Sequence, residues 1–458
     1  MKQIFLISLA CLLLLSIIAQ ATKPKPADPN KIQLIWSSDD NPLRRAQLDP
    51  FNEQHPELHL ELDPNNADIE KVIVQSLAGV GPDVFDCYAG YQLTAYVKAG
   101  IAWDVTDELK KRHLDISQTW STLSTNCVYD GRVYGFPENA AANGLWYHKD
   151  LCDEAGVQIP KGPWKWEQAV PLLQKLVQRD TNGKITRYGL VISWDNNYLQ
   201  FIYQWGGRMY SEDGTRCTLD SPEAIAAIQF MQDLIFKYHV APDLAAEATL
   251  AAAGGWGGGD VITLLGAKRS ACALGGRWWL CALRDKQYAD LQLHAAEAPY
   301  GKKHVFVGYG KATLINRRSP HREEALKFLQ YLASPEYNKL INHQADGIGP
   351  IKKYAYEPDY LFDPAYPNET DNAVWRDLLS AAEPEQVSPF MNGAVLQRVV
   401  DAQLDLVKSG SLTAEQAMKE ATDRVNQRIQ ENLRQSPALR AEYDRRIAAQ
   451  KNNATTSK

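Results

Sequence analysis

The stretch KIQLIWSSDDNP, residues 31–42, reads as a strand running into a helix. From Lys31 to Trp36 apolar and polar residues alternate with the period of a half-buried strand. SSDDNP then supplies cap and turn residues ahead of a helical stretch toward Phe51. The order repeats downstream: LHLELD (Leu58 to Asp63) is a second strand, Ile69 to Leu77 has helical spacing, and PDVFD (Pro82 to Asp86) is a short buried strand after a Gly-Pro turn. Strand and helix in alternation predict an α/β fold with a largely parallel sheet.

Farther along, Ser221-Pro222-Glu223 pairs an N-cap with proline at the first helical position. Ile225, Ile228, Met231, Leu234, Ile235 and Tyr238 then form one apolar face. A further helix is expected from His321 to Ala333, with Ser334-Pro335 ending it or opening the next. Thr413 and Gln416 make a capping box for a helix whose inner stripe is Ala417, Met418, Ala421, Val425 and Ile429. The tail NNATTSK is polar and expected to fray.

At the other end, Lys2 precedes an apolar run from Ile4 to Ala19 that closes on Ala19-Gln20-Ala21, the pattern of a secretory signal peptide cleaved after Ala21. The run is short for a membrane span and is followed by polar, Pro-rich TKPKPADPN. Cleavage at Cys11 for lipid anchoring would cut the apolar run in half, so Cys11 is expected to leave with residues 1–21. The mature chain is therefore expected in the periplasm.

The rest of the 458 residues suffices for two or three domains of about 150 residues each. A net charge of −6 with mixed signs gives no basic footprint for nucleic acid or anionic lipid. Six cysteines besides Cys11 suit an oxidising compartment, and Cys272 with Cys281 and Cys127 with Cys152 are the short loops to test first for disulfides. Without CxxC or HExxH, no metal or other cofactor is expected. The patch AAAGGWGGG (residues 251–259) lacks a phosphate-loop pattern and reads as a flexible loop into a helix near Asp260. Trp256 within it has no local packing partner and is expected to reach toward a ligand.

Five segments in order resemble a known family. They are PDVFDCYAGYQLTAYVKAGIAWDVTDEL (82–109), YDGRVYGFPENAAANGLWYHKDL (129–151), GGRMYSEDGTRCTLDSPEAIAAIQFMQDLIFKYHVAP (206–242), LLGAKRSACALGGRWW (264–279) and VGYGKATLINRRSPHREEALKFLQYLASPEYNKLINHQADGIGP (307–350). Together they resemble the extracellular (periplasmic) solute-binding proteins, family 1, of ABC importers, of the carbohydrate-binding, maltose-binding-protein-like type. The resemblance implies a two-lobe periplasmic binding protein (type II) with a hinge and an interlobe ligand cleft. Lobe 1 would hold 31–138 plus 305–350, lobe 2 would hold 142–300 plus 351–430, and 431–458 would form a C-terminal helical and polar tail. Crossings would fall near Pro137 to Ala142, Ala298 to Val305 and Pro350.

A neutral polyol needs polar groups around its edge and aromatic rings on its faces, and 12 Trp with 21 Tyr allow this. Carried over from the family, Trp36, Asp39 and Asp40 would lie at the cleft, although Asp39 and Asp40 could equally serve a helix N-cap. Asp86 and Tyr88 follow a strand's C-terminal end, where α/β sheets place ligands. Between them Cys87 stands about where maltose-binding protein has a tryptophan, which leaves that surface to Tyr88. Glu138 and Asn139 fall in the first crossing, Gly308 and Tyr309 in the return strand. In the second lobe the resemblance points to Trp194, Asp195, Asn196 and Trp278, with Trp279 turned to the core. Arg277 could bond a ligand or pair with a carboxylate of the lobe. The chain departs from the family at Ala141 and Ala142, where an acid is common, and in SPFMNGAVLQ (388–397), which lacks a tryptophan.

The function implied is that of a monomeric receptor that carries a sugar or oligosaccharide to the membrane permease of an ABC importer. A secreted carbohydrate-active enzyme would also place carboxylates beside tryptophans, but no pair of carboxyls at fixed spacing and no GxSxG is present. An adhesin-like domain would show no saturable binding.

Overall fold

A computed structural model describes residues 30–64, 68–250 and 259–456. The leader 1–21, Cys11 and Trp256 lie outside the described residues. Thirteen strands occur among those described: β1 (Ile32–Ser37), β2 (Leu58–Asp63), β3 (Val84–Cys87), β4 (Val128–Tyr129), β5 (Arg132–Val133), β6 (Gly135–Ala142), β7 (Gly144–His148), β8 (Gln178–Arg179), β9 (Ile185–Ile192), β10 (Ser270–Gly275), β11 (Leu293–Ala296), β12 (Phe306–Ile315) and β13 (Ala382–Glu383).

They form two main sheets, one per lobe, and β4 and β5 make a separate ribbon. The first sheet runs β13-β12-β3-β1-β2 with β6 also on β12. The second runs β11-β7-β10-β9-β8. In the first, β1 pairs in parallel with β2 and β3, as helical crossovers require, while β12 returns antiparallel to β3 and β6. Both faces of this sheet are covered. Leu34, Trp36 and Ile315 join one core with Phe51 and Phe328, and Phe85, Ala312 and Leu314 join another with Leu93 and Tyr96.

The chain passes between the sheets with little slack. Ala142 closes β6 in the first sheet and Gly144 opens β7 in the second, so Asn143 alone separates them. The return lies between Ala296 of β11 and Phe306 of β12. A further pass goes beyond the crossing expected at Pro350: β13 pairs in parallel with Phe306 and Val307, bringing residues 382–383 onto the first sheet.

Local signals account for the helices. Ser221 caps Pro222–Phe236 by accepting a hydrogen bond from the Ala224 N–H. Thr413 and Gln416 close a capping box at the start of Ala414–Gln435. The helix expected at 321–333 spans Arg322–Leu332. The WDNN segment is the first turn of the helix Trp194–Trp205, whose Leu199, Phe201 and Ile202 are buried. The tail is helical in Pro437–Thr456 instead of fraying from Asn452.

The six described cysteines are free thiols. Cys127 and Cys152 sit in different hydrophobic cores, which rules out the short loop expected between them. Cys152 instead hydrogen-bonds to Cys272, and Cys281 points its sulfur at the Gln344 carbonyl, 3.8 Å away.

Replacing Ser221 by alanine removes the cap from an otherwise well-packed helix. The substitution should cost about 1 kcal/mol, read as a lower urea midpoint at unchanged slope.

Candidate functional site

A cavity of about 460 Å³ opens between the two sheets. Elements of the first sheet bring Tyr88, just past β3, Tyr91 in the helix Gly90–Lys98, and Tyr309 in β12. The other side brings Tyr198 in the helix Trp194–Trp205, and Trp278. Five rings from both sides thus share one space.

Trp278 owes its place to the glycines before it. The GGRWW segment is a 3-10 turn at Arg277–Trp279. A Cβ on Gly276 would lie 1.7 Å from the Trp278 ring, and one on Gly275 would lie 2.1 Å from the Trp279 ring. With hydrogen at both positions, Trp279 packs into the core at 2% exposure while Trp278, half-buried, lines the cavity.

Beneath Tyr88 lies a buried ionic cluster. The Lys311 ammonium, from β12, donates to Asp86 at 2.8 Å and to Ser38 at 3.0 Å, and stands 2.6 Å from the Glu138 carboxyl. It also lies 4.8 Å from the Trp36 ring centre, a cation–π contact. The Trp36 indole donates to the other Asp86 oxygen at 2.7 Å. Thr313 donates to Glu138 at 2.6 Å. Burial and, after it, the Asp86 charge push the Glu138 carboxyl up to about 8 against the pull of Lys311.

Asp39 is held in the opposite way. Burial would raise it, but Lys311 and Arg44 keep it well below the usual carboxylate range. Arg44 grips both Asp39 oxygens at 3.0 Å and also pairs with Asp346. Tyr88 donates to Asp39 at 2.7 Å, tying its ring to the cluster.

The residues expected at the cleft separate into those on the cavity and those behind it. Asp39, Tyr88, Asn139, Asp195, Asn196, Trp278 and Tyr309 line it. Trp36 does not, because its indole is wholly buried against Phe328. Asp86 and Glu138 lie under the floor as partners of Lys311. Asp40 is exposed outside the cavity. Gly308 packs on Thr122, where a Cβ would come within 2.4 Å. Trp194 occupies the core-facing side of its helix. Arg277 is a buried cross-link: it donates to the carbonyls of Gly347 at 2.7 Å and Asn342 at 2.8 Å and to the Asn372 side chain at 2.9 Å.

Other cavity residues escaped sequence reading. Arg44 and Lys311 sit in segments with ordinary helical and strand patterns, and Glu385, Gln397 and Asp401 arrive from the late chain. Tyr198 had a readable signal. It stands three residues after Asp195, on the same face once WDNNYLQ is read as a helix. One contact already spans the cleft, the Tyr309 hydroxyl donating to the Asn196 carbonyl at 2.7 Å.

Residues 36–339 match the family described as bacterial extracellular solute-binding protein. The chain belongs to that family. Among solute-binding proteins it is 24% identical over 383 residues to a putative binding protein of Brucella abortus, covering 82% of this chain and 87% of the other. It is 33% identical to an arabinooligosaccharide-binding protein of Halalkalibacterium halodurans over 115 residues, 24% of each chain. In structure it resembles an ABC substrate-binding protein from Listeria monocytogenes in complex with cycloalternan, with TM-score 0.75 and 20% identity over 87% of this chain and 98% of that one.

Lys311→Met would leave Asp86 and Glu138 buried without their cation. Unfolding stability should fall by roughly 3–5 kcal/mol, measured by urea denaturation at neutral pH.

Proposed function

We propose that this solute-binding protein is the substrate-binding subunit of an ABC importer, taking a sugar or oligosaccharide between its lobes and presenting it to the membrane permease subunits. The observation that carries the reading is the set of aromatic rings reaching one cavity from both sides, with Tyr88 and Trp278 on opposite lobes. Asp39, Asn139, Asp195 and Asn196 line the same cavity, where they would hydrogen-bond hydroxyls along a sugar's edge. The arabinooligosaccharide in the name of one similar protein and the cycloalternan held by another support a glycan ligand.

In this reading the ligand closes the hinge. Asn143 joins the sheets, and closure would bring Tyr309 and Trp278 onto a bound glycan from either side. Micromolar affinity corresponds to about −8 kcal/mol, enough to bias two hinge states that differ by a few kcal/mol. The lobes would follow the boundaries given by the resemblance, with 382–383 added to the first. Export with cleavage near Ala21 and action as a monomer in the periplasm belong to the same reading, as does binding without turnover.

A thermal-shift screen over mono- and oligosaccharides, polyols and sugar acids should find a saturable stabiliser. Calorimetry with that ligand should give stoichiometric heat and leave it chemically unchanged, whereas product formation would show an enzyme. Trp278→Ala should weaken binding by roughly 1–3 kcal/mol while the melting temperature of the ligand-free protein stays put. Unchanged affinity would remove Trp278 from the site.

A further inference from the structure

The charges around the cavity are not balanced from wall to wall. On the floor, both cations are already committed: Arg44 holds Asp39 and Asp346, and Lys311 holds Asp86 and Glu138. Away from the floor the cavity carries Asp195, Glu385 and Asp401. None of the three makes an ion pair among the described residues. Arg208, whose partner Glu383 stands two residues before Glu385, is paired there at 2.9 Å.

Two of these carboxylates have small neutral partners. Asp195 accepts from Ser193 and Asn196, and Asp401 accepts from Gln397 at 2.7 Å. Glu385 accepts no hydrogen bond among the described residues and borders Tyr91, Tyr198 and Tyr309. Its surroundings disfavour its charge: burial alone pushes the carboxyl up to about 7. Burial likewise raises Asp401 to about 6, with Asp195 and Asp405 adding repulsion. A half-buried carboxylate without a cation, set among tyrosine faces, is the complement of a positively charged group. The carboxylate supplies the counter-charge and the rings supply cation–π attraction.

We propose that the ligand of this cleft is an amino-substituted sugar whose protonated amine sits on Glu385 among Tyr91, Tyr198 and Tyr309, with Asp195 and Asp401 reinforcing the negative wall. The inference rests on the glycan reading above and narrows it. Binding an ammonium would relieve the repulsion on this wall. A phosphate, sulfate or uronate would add to it, and the floor has no spare cation to offset the cost.

Calorimetry with matched triplets tests this: glucosamine, galactosamine and deacetylated chitotriose, each beside its N-acetyl form and its hydroxyl counterpart, with trigalacturonate as the anion. The amino member of a bound triplet should bind most tightly and trigalacturonate should not bind. Glu385→Gln should weaken the amino ligand by roughly 10- to 150-fold and the hydroxyl counterpart far less. A thermal melt of Glu385→Gln without ligand separates loss of the site from loss of fold. The proposal is overturned if a hydroxyl or N-acetyl form binds as tightly as its amine, or if the preference survives in a Glu385→Gln protein that melts normally. In either case the glycan reading stands. Binding of none of these sugars, with a non-sugar solute stabilising the protein instead, would overturn both.

Discussion

The cleft depends on a buried ammonium. Lys311 comes from the strand that joins most of the first sheet, and its charge is shared by Asp86 at the end of β3 and Glu138 in β6. Ion pairs taken out of water gain little net energy over apolar packing, but they are costly to break and demand particular geometry. Here that geometry fixes three neighbouring strands relative to one another. The sequence fits around it. Gly310, next to Lys311, has φ +151°, and a Cβ there would sit 2.3 Å from the Asn139 carbonyl, so the strands approach closely where the lysine must reach across.

From that floor the site is built outward by tethers. Trp36 steadies Asp86 from below, Arg44 steadies Asp39, and Asp39 in turn holds the Tyr88 hydroxyl. The charged groups of the floor therefore face mainly one another, and the ring of Tyr88 is the part offered to a ligand. The rest of the lining lacks such pairing among the described residues. Trp278 is placed by packing over Gly276, and Glu385 has no hydrogen-bond or ion-pair partner among them. A floor satisfied internally and a remaining lining left open divide the work between a rigid base and a surface whose charge selects the ligand. Arg277 joins the two sides, two of its hydrogen bonds holding Asn342 and Gly347 against the second sheet's turn and the third holding Asn372.

Much of the fold was legible because strands and helices announce themselves locally. KIQLIW and LHLELD, Ser221-Pro222 and the Thr413–Gln416 box carry their structure in a few neighbouring residues. The cleft was less legible. Trp36 follows the pattern of a cleft residue one strand-end too early, and its indole turns into the core, since side chains alternate along a strand and Leu34 faces the same way. Trp194 is placed at the cleft by the resemblance. As the first residue of a helix it faces inward and gives the cavity to Asp195, Tyr198 and Leu199. Glu385 and Asp401 could not be found by local pattern, because only the return of the chain after residue 380 brings them beside Tyr198 and Tyr309. Sequence spacing reports faces of single elements, and this site is made of faces from many.

The central claim is that a ligand in this cavity bridges two lobes and draws them together about the Asn143 crossing. Small-angle scattering of the protein alone and at saturation with the glycan that stabilises it tests this most directly. The account predicts a smaller radius of gyration and a shorter maximum dimension in the complex. Superimposable profiles at full occupancy would contradict it.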